Sequence, residues 1–172
     1  DGMADYYESF CQDYRPGRTV GLQKDKHNNV YFTVNGRTTR VSHDGKTVTV
    51  LCLGGQRNTN GVGASLDGVV LSSANEGDWT PASFIFEVQE GDHYGVAKHG
   101  YEADLPMAFV PRAIDNSTGS QIFTVDNRWG FPKGVVISTS YGSGLIYGVL
   151  RDTHWKRTQG AVFSLPFDFS SG

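Results

Sequence analysis

The sequence predicts an all-β protein. The expected form is a β-trefoil-like barrel of three ~40-residue repeats behind a short N-terminal arm, with a β-sandwich or another small β-barrel as the alternative. Three observations carry this. Glycine is abundant, 22 of 172 residues, while aromatics hold at 12% and charged residues stay low at 19%. That balance opposes disorder, which needs many charges and few aromatics. Short segments rich in Val, Ile, Tyr, Phe and Thr recur between Gly, Asn and Asp breaks, the pattern of strands and turns. Finally, a short pattern repeats along the chain.

Residues 1–17 are read as the arm and 18–169 as one all-β domain. In the arm, Tyr6, Tyr7, Phe10 and Tyr14 have i, i+4 spacing, which predicts a turn or two of helix before Arg15-Pro16-Gly17. Strands are expected at Thr19 to Leu22, Val30 to Val34, Thr38 to Val41 and Lys46 to Leu53. The next run from Val69 to Ser72, Ser83 to Val88, Ala108 to Val110 and Gln121 to Val125. The last are Gly134 to Thr139, Leu145 to Leu150 and Ala161 to Phe167. Asn35-Gly36 and Asp44-Gly45 read as hairpin turns, because a type I′ turn needs positive φ at both central residues. The stretch from Gly54 to Gly63 reads as an inserted loop.

The repeat marks are Phe32, Phe86, Phe123 and Phe163, each followed two positions on by Val or Leu. Leu66, Leu105 and Leu145 precede the last three, at spacings near 40 residues. Alternation along a strand would turn these residues inward.

Composition excludes some function classes. Net charge is -3 and no basic stripe exists, which argues against nucleic acid, whose recognition needs a concentrated positive footprint. No apolar run nears the roughly 18 residues of a membrane helix. Cys52 lies in an apolar run and reads as a buried thiol, with a Cys11–Cys52 bridge the alternative. Asn116-Ser117-Thr118 is a glycosylation sequon. Together these point to an extracellular or secreted protein, or a cytoplasmic one if Met3 is the native start.

The candidate binding residues are the tryptophans and their neighbours: Trp79 with Asp78, Trp129 with Asp126 and Asn127, and Trp155 with Asp152. An aromatic face suits the C–H side of a pyranose, and carboxylate or amide groups suit its hydroxyls. The functional expectation is a non-enzymatic, lectin-like glycan-binding module. Its partner would be a glycan or glycoprotein, with no cofactor and no metal. A loop-presenting inhibitor or effector that binds another protein is the second reading. An enzyme using His93, His99 and Glu102 is a further one.

The segment Ala161-Val162-Phe163-Ser164-Leu165-Pro166-Phe167-Asp168-Phe169 resembles the Phe-Ser-Val-Pro-Phe-Asp-Tyr segment of actinoporin pore-forming toxins. The resemblance covers about nine residues of 172. It implies a membrane-active toxin as the third reading.

Overall fold

A computed structural model describes residues 2–11, 17–77, 80–95 and 102–168, with side chains as far as residue 165. Twelve strands follow one another, and among the described residues there is no helix. They are β1 (Thr19–Lys24), β2 (Val30–Val34), β3 (Arg37–Val41), β4 (Val48–Val50), β5 (Gly61–Ala64) and β6 (Val70–Ala74). Then come β7 (Ser83–Glu87), β8 (Ala108–Val110), β9 (Thr118–Phe123), β10 (Val136–Ser140), β11 (Leu145–His154) and β12 (Arg157–Asp168). The all-β class is as the sequence indicates.

The strands form three separate four-stranded antiparallel sheets: β1 to β4, β5 to β8 and β9 to β12, each in chain order. No sheet closes on itself, so the trefoil barrel does not describe this architecture. Consecutive four-stranded meanders are instead the repeating unit of propeller-type folds.

The sheets meet along their first strands. β5 packs against β1 on one side and β9 on the other, and glycine makes that approach close. A Cβ on Gly61 would lie 2.3 Å from the Gly119 carbonyl oxygen, and one on Gly21 would lie 2.9 Å from the Val62 nitrogen. This explains why Gly61 to Ala64 reads as loop in the sequence but forms a strand. Its glycines serve backbone packing rather than turning.

Three apolar layers follow from this stacking. Tyr31 and Leu51 of the first unit pack with Val62 and Val70 of the second. Leu71, Ile85 and Val110 of the second sheet pack with Val136, Tyr147 and Val149 of the third. Phe84, Phe86 and Tyr94 form a further cluster with Cys52 and Ala74. Within it the Phe86 and Tyr94 rings stack at 4.2 Å.

The threefold order is real, but other residues carry it. Phe32 lies in β2, Phe86 in β7, Phe123 in β9 and Phe163 in β12, so they occupy four different strand positions. Leu66 and Leu105 are exposed rather than inward. The true repeat is the first hairpin of each sheet. There the N–H of Asp25 donates to Asn29 O at 3.2 Å, that of Ser65 to Val69 O at 2.8 Å, and that of Thr124 to Val135 O at 2.9 Å. The second strand starts directly after each of these bonds.

Some local expectations also change. The described arm, residues 2–11, holds no helix, and Tyr6 and Tyr7 are exposed, so no packing rewards a helical face; Tyr14 lies outside the described residues. Asn35 and Gly36 both have positive φ, 49° and 72°, as a type I′ turn requires. At Asp44-Gly45 only the glycine does, and the turn is longer, closed by Ser42 N–H on Thr47 O. Cys11 and Cys52 are both free. They sit in different apolar clusters.

Candidate functional site

Antiparallel meanders send alternate connections to opposite ends. One end receives the connections β2–β3, β4–β5, β6–β7, β8–β9 and β10–β11. Arg37, Arg57 and Arg112 lie at this end. The other end receives the remaining connections and holds Lys24, Lys26, Lys46, Lys133 and Lys156. We call them the arginine end and the lysine end.

At the arginine end, side chains reach across sheets. Asn60, just before β5, donates to Asn75 Oδ1 at 3.2 Å. Asn75 Nδ2 donates to Ser117 Oγ, just before β9, at 3.0 Å. The Ser117 N–H donates to Asp115 Oδ1 at 2.8 Å. Asp115 is fully buried. It also accepts from Ser140 Oγ at 2.6 Å and from the Tyr147 hydroxyl at 2.9 Å. Burial pushes the Asp115 carboxyl above the usual carboxylate range, and these three hydrogen bonds only partly offset it. Burial and the adjacent carboxylate likewise push the Tyr147 phenol up.

Glu76 holds two arginines beside this seam. Arg112 Nε meets its carboxylate at 2.6 Å, and Arg57 Nη1 donates to its carbonyl. The result is a surface of guanidinium, carboxamide and hydroxyl groups drawn from two sheets. Such groups can hold carboxylates and sugar hydroxyls.

The lysine end is built differently, from self-contained turns. Asp25 accepts from the N–H groups of His27 and Asn29, from the Asn29 amide and from the Tyr31 hydroxyl. Burial alone would raise its carboxyl, but these bonds hold it below the usual range. A groove of about 720 Å³ runs beside the β11–β12 hairpin, lined by Glu87, Gln89, Asp92, Trp155, Lys156 and Arg157 among others. Glu87 is engaged there by Arg151 at 2.8 Å and by Thr158 at 2.7 Å.

The described members of the predicted site set do not converge on one place. Asp78 and Trp79 lie outside the described residues. Trp129 is exposed in the β9–β10 connection, where Asp126 is taken up by the N–H and guanidinium of Arg128. The Asn127 carbonyl accepts from Gly130. Trp155 is exposed at the tip of the β11–β12 hairpin. Both Trp155 and Lys156 have positive φ there. Asp152 pairs with Gln159 within that hairpin. Among the described residues of this set, only Trp155 lines the groove.

His93 is buried, and its backbone exchanges hydrogen bonds with Asp104. His99 lies outside the described residues. The seam residues Asn60, Asn75 and Ser117 carry no sequence signal beyond loop-like composition and a sequon, because each partner is distant in the chain.

No protein-family model and no curated protein matches the chain. Two solved structures do resemble it. The first is an oxidoreductase described as a glucose dehydrogenase, from Thermus thermophilus. It has a TM-score of 0.61 and 17% identity, over 88% of this chain and 54% of that one. The second is the PQQ-bound form of an aldose sugar dehydrogenase from Streptomyces coelicolor. It has a TM-score of 0.58 and 13% identity, over 84% of this chain and 49% of that one.

The chain shares a fold with these enzymes. It spans about half their length. This finding overturns the expectation of a non-enzymatic glycan-binding module, and nothing found supports the inhibitor or toxin readings offered beside it. Aromatic residues near carboxylates are compatible with many sites. Here the two described tryptophans, Trp129 and Trp155, lie in separate connections.

Proposed function

We propose that this chain serves sugar oxidation and that its arginine end is the ligand-binding end. The observation that carries the reading is the seam Asn60–Asn75–Ser117, where the second and third sheets meet, flanked by the Glu76-held arginines. It joins groups from distant chain segments on one surface. Ligand sites are commonly built on connections held by a rigid scaffold.

The second similar structure binds PQQ. That quinone carries several carboxylates, and the donor set at the arginine end suits it in kind. Arg57 and Arg112 offer guanidinium groups, and Asn60 offers a carboxamide. These are the residues that would hold it. When bound, such a quinone accepts the two electrons released as a sugar hydroxyl becomes a carbonyl. The chain's own part is to bind and orient. Glu76 fixes both arginines, and the Asp115 hydrogen bonds fix Ser117, so little ordering remains at binding.

The test is titration of the protein with PQQ, followed by dye reduction with an aldose as donor. The expected result is saturable PQQ binding, with aldose-dependent reduction weakened by Arg57→Ala together with Arg112→Ala. Absence of both binding and aldose-dependent reduction would overturn the reading.

A further inference from the structure

The stacking of the sheets follows one rule, and the rule leaves two open faces. In β2, β6 and β10 the equivalent residues are Tyr31, Leu71 and Ile137, each second in its strand. Tyr31 packs into the second sheet and Leu71 into the third. Ile137 takes the equivalent place in the third sheet and is 6% exposed, so the open part of that face lies at its neighbours. Two residues on, Thr33 and Ser73 are fully buried, whereas Thr139 is exposed. Around Ile137 runs an apolar cross-strand row: Ile122, Ile137, Gly148 and Phe163. The Phe163 ring lies over Gly148. Ile122 and Leu150 on this face are 45% and 53% exposed.

The other open face belongs to the first sheet. Its outer part is covered by the arm: Cys11 packs with Phe32, Val34 and Val41. Its first strand is not. Gly21 faces β5, and Leu22, beside it in a register shift of β1, is 71% exposed. The incoming side of each existing junction has a first strand containing glycine and a second strand led by Val70 or Val136. The first sheet matches that pattern with Gly21 and Val30.

We propose that two copies of this chain pack head to tail, the Ile122–Ile137–Phe163 face of each on the Leu22 face of the other. The junction repeats the one already made twice within the chain. Each copy spans about half the length of either similar structure, so two copies match that length. A head-to-tail interface closes when its rotation returns to the start.

Light scattering after gel filtration tests this. The expected mass is twice 18.8 kDa. Ile122→Lys with Leu150→Lys should give monomers, and so should Leu22→Lys, both with unchanged circular dichroism. Mixing the two variants should restore dimers, because one sound junction remains. A monomeric parent chain, or a dimer insensitive to both variants, would overturn the proposal. So would loss of the dimer in only one of the two variants, because that marks a face pairing with itself, and so would failure of a mixture of the two monomeric variants to re-associate. The result is independent of PQQ binding, so failure of the proposed function would leave it standing.

Discussion

The two ends of the sheets solve the same problem in opposite ways. Both must satisfy polar groups where strands turn. At the lysine end Asp25 and Asp126 serve their own turns, Asp25 capping residues within six positions and Asp126 capping Arg128 two positions on, whereas Glu87 there is taken by Arg151 and Thr158 of the distant β11–β12 hairpin. At the arginine end the partners are remote. Asn75 reaches Ser117, Arg112 reaches Glu76, and Asp115 reaches Tyr147. Local turns fold alone and tolerate exchange. A cross-sheet seam exists only when the sheets have stacked, and it fixes groups in space for a ligand.

The sharpest way to break this contrast is Asp115→Ala. It strips the acceptor from Ser117, Ser140 and Tyr147 in a fully buried place. Each stranded donor costs about 1–3 kcal/mol, so we expect a loss of about 4 kcal/mol in urea denaturation. A loss below about 1 kcal/mol, no more than a single hydrogen bond, would mean that Asp115 does not anchor the third-sheet side of the seam. Gly61→Val comes next, because the new side chain meets the Gly119 carbonyl and the Ser120 backbone. Overpacking of this kind costs about 3 kcal/mol, again read by denaturation. Asp126→Ala should cost least, about 0.5 kcal/mol, as for an exposed surface turn.

The ends should also differ in pH response. Asp25 is held below the ordinary carboxylate range. Its contribution is present above the unfolded-state pKa and is lost as pH falls through the lowered folded value. Asp115 is held above that range. Its contribution is present below the unfolded-state pKa and is lost as pH rises through the raised folded value. Comparing melting temperatures against pH for Asp25→Asn and Asp115→Asn checks this. The difference from the parent protein should grow with pH at Asp25. At Asp115 the parent should lose ground to the variant as pH rises.

The same contrast explains what was legible in the sequence. Asn35-Gly36 is a turn because of its own two residues, and it can be read directly. β2, β7, β8 and β10 have enough β-branched and aromatic residues to declare themselves. β5 did not, because Gly61 and Gly63 answer to β9, which lies some 55 residues away. The closed barrel expected from the repeat is absent among the described strands, for a related reason. The last three Phe marks recur near a 40-residue period, while the true repeat, Asp25, Ser65 and Thr124, has unequal spacing. The long β7–β8 connection lies within the second sheet and stretches it. Trp129 and Trp155 stand apart because each belongs to its own connection: Asp126 caps the turn of Trp129, and Asp152 lies in the β11 strand that leads to Trp155.

The central claim is that the arginine end binds the ligand. PQQ titration of four proteins tests it most directly: the parent, Arg57→Ala with Arg112→Ala, Lys133→Ala with Lys156→Ala, and Asn60→Ala. Arg112 is largely exposed, so losing its ion pair costs less than about 1 kcal/mol of stability, and binding can be read cleanly. The account predicts at least tenfold weaker binding for the arginine pair, a smaller loss for Asn60→Ala and no change for the lysine pair. Binding that survives the arginine changes but falls with the lysines would contradict it.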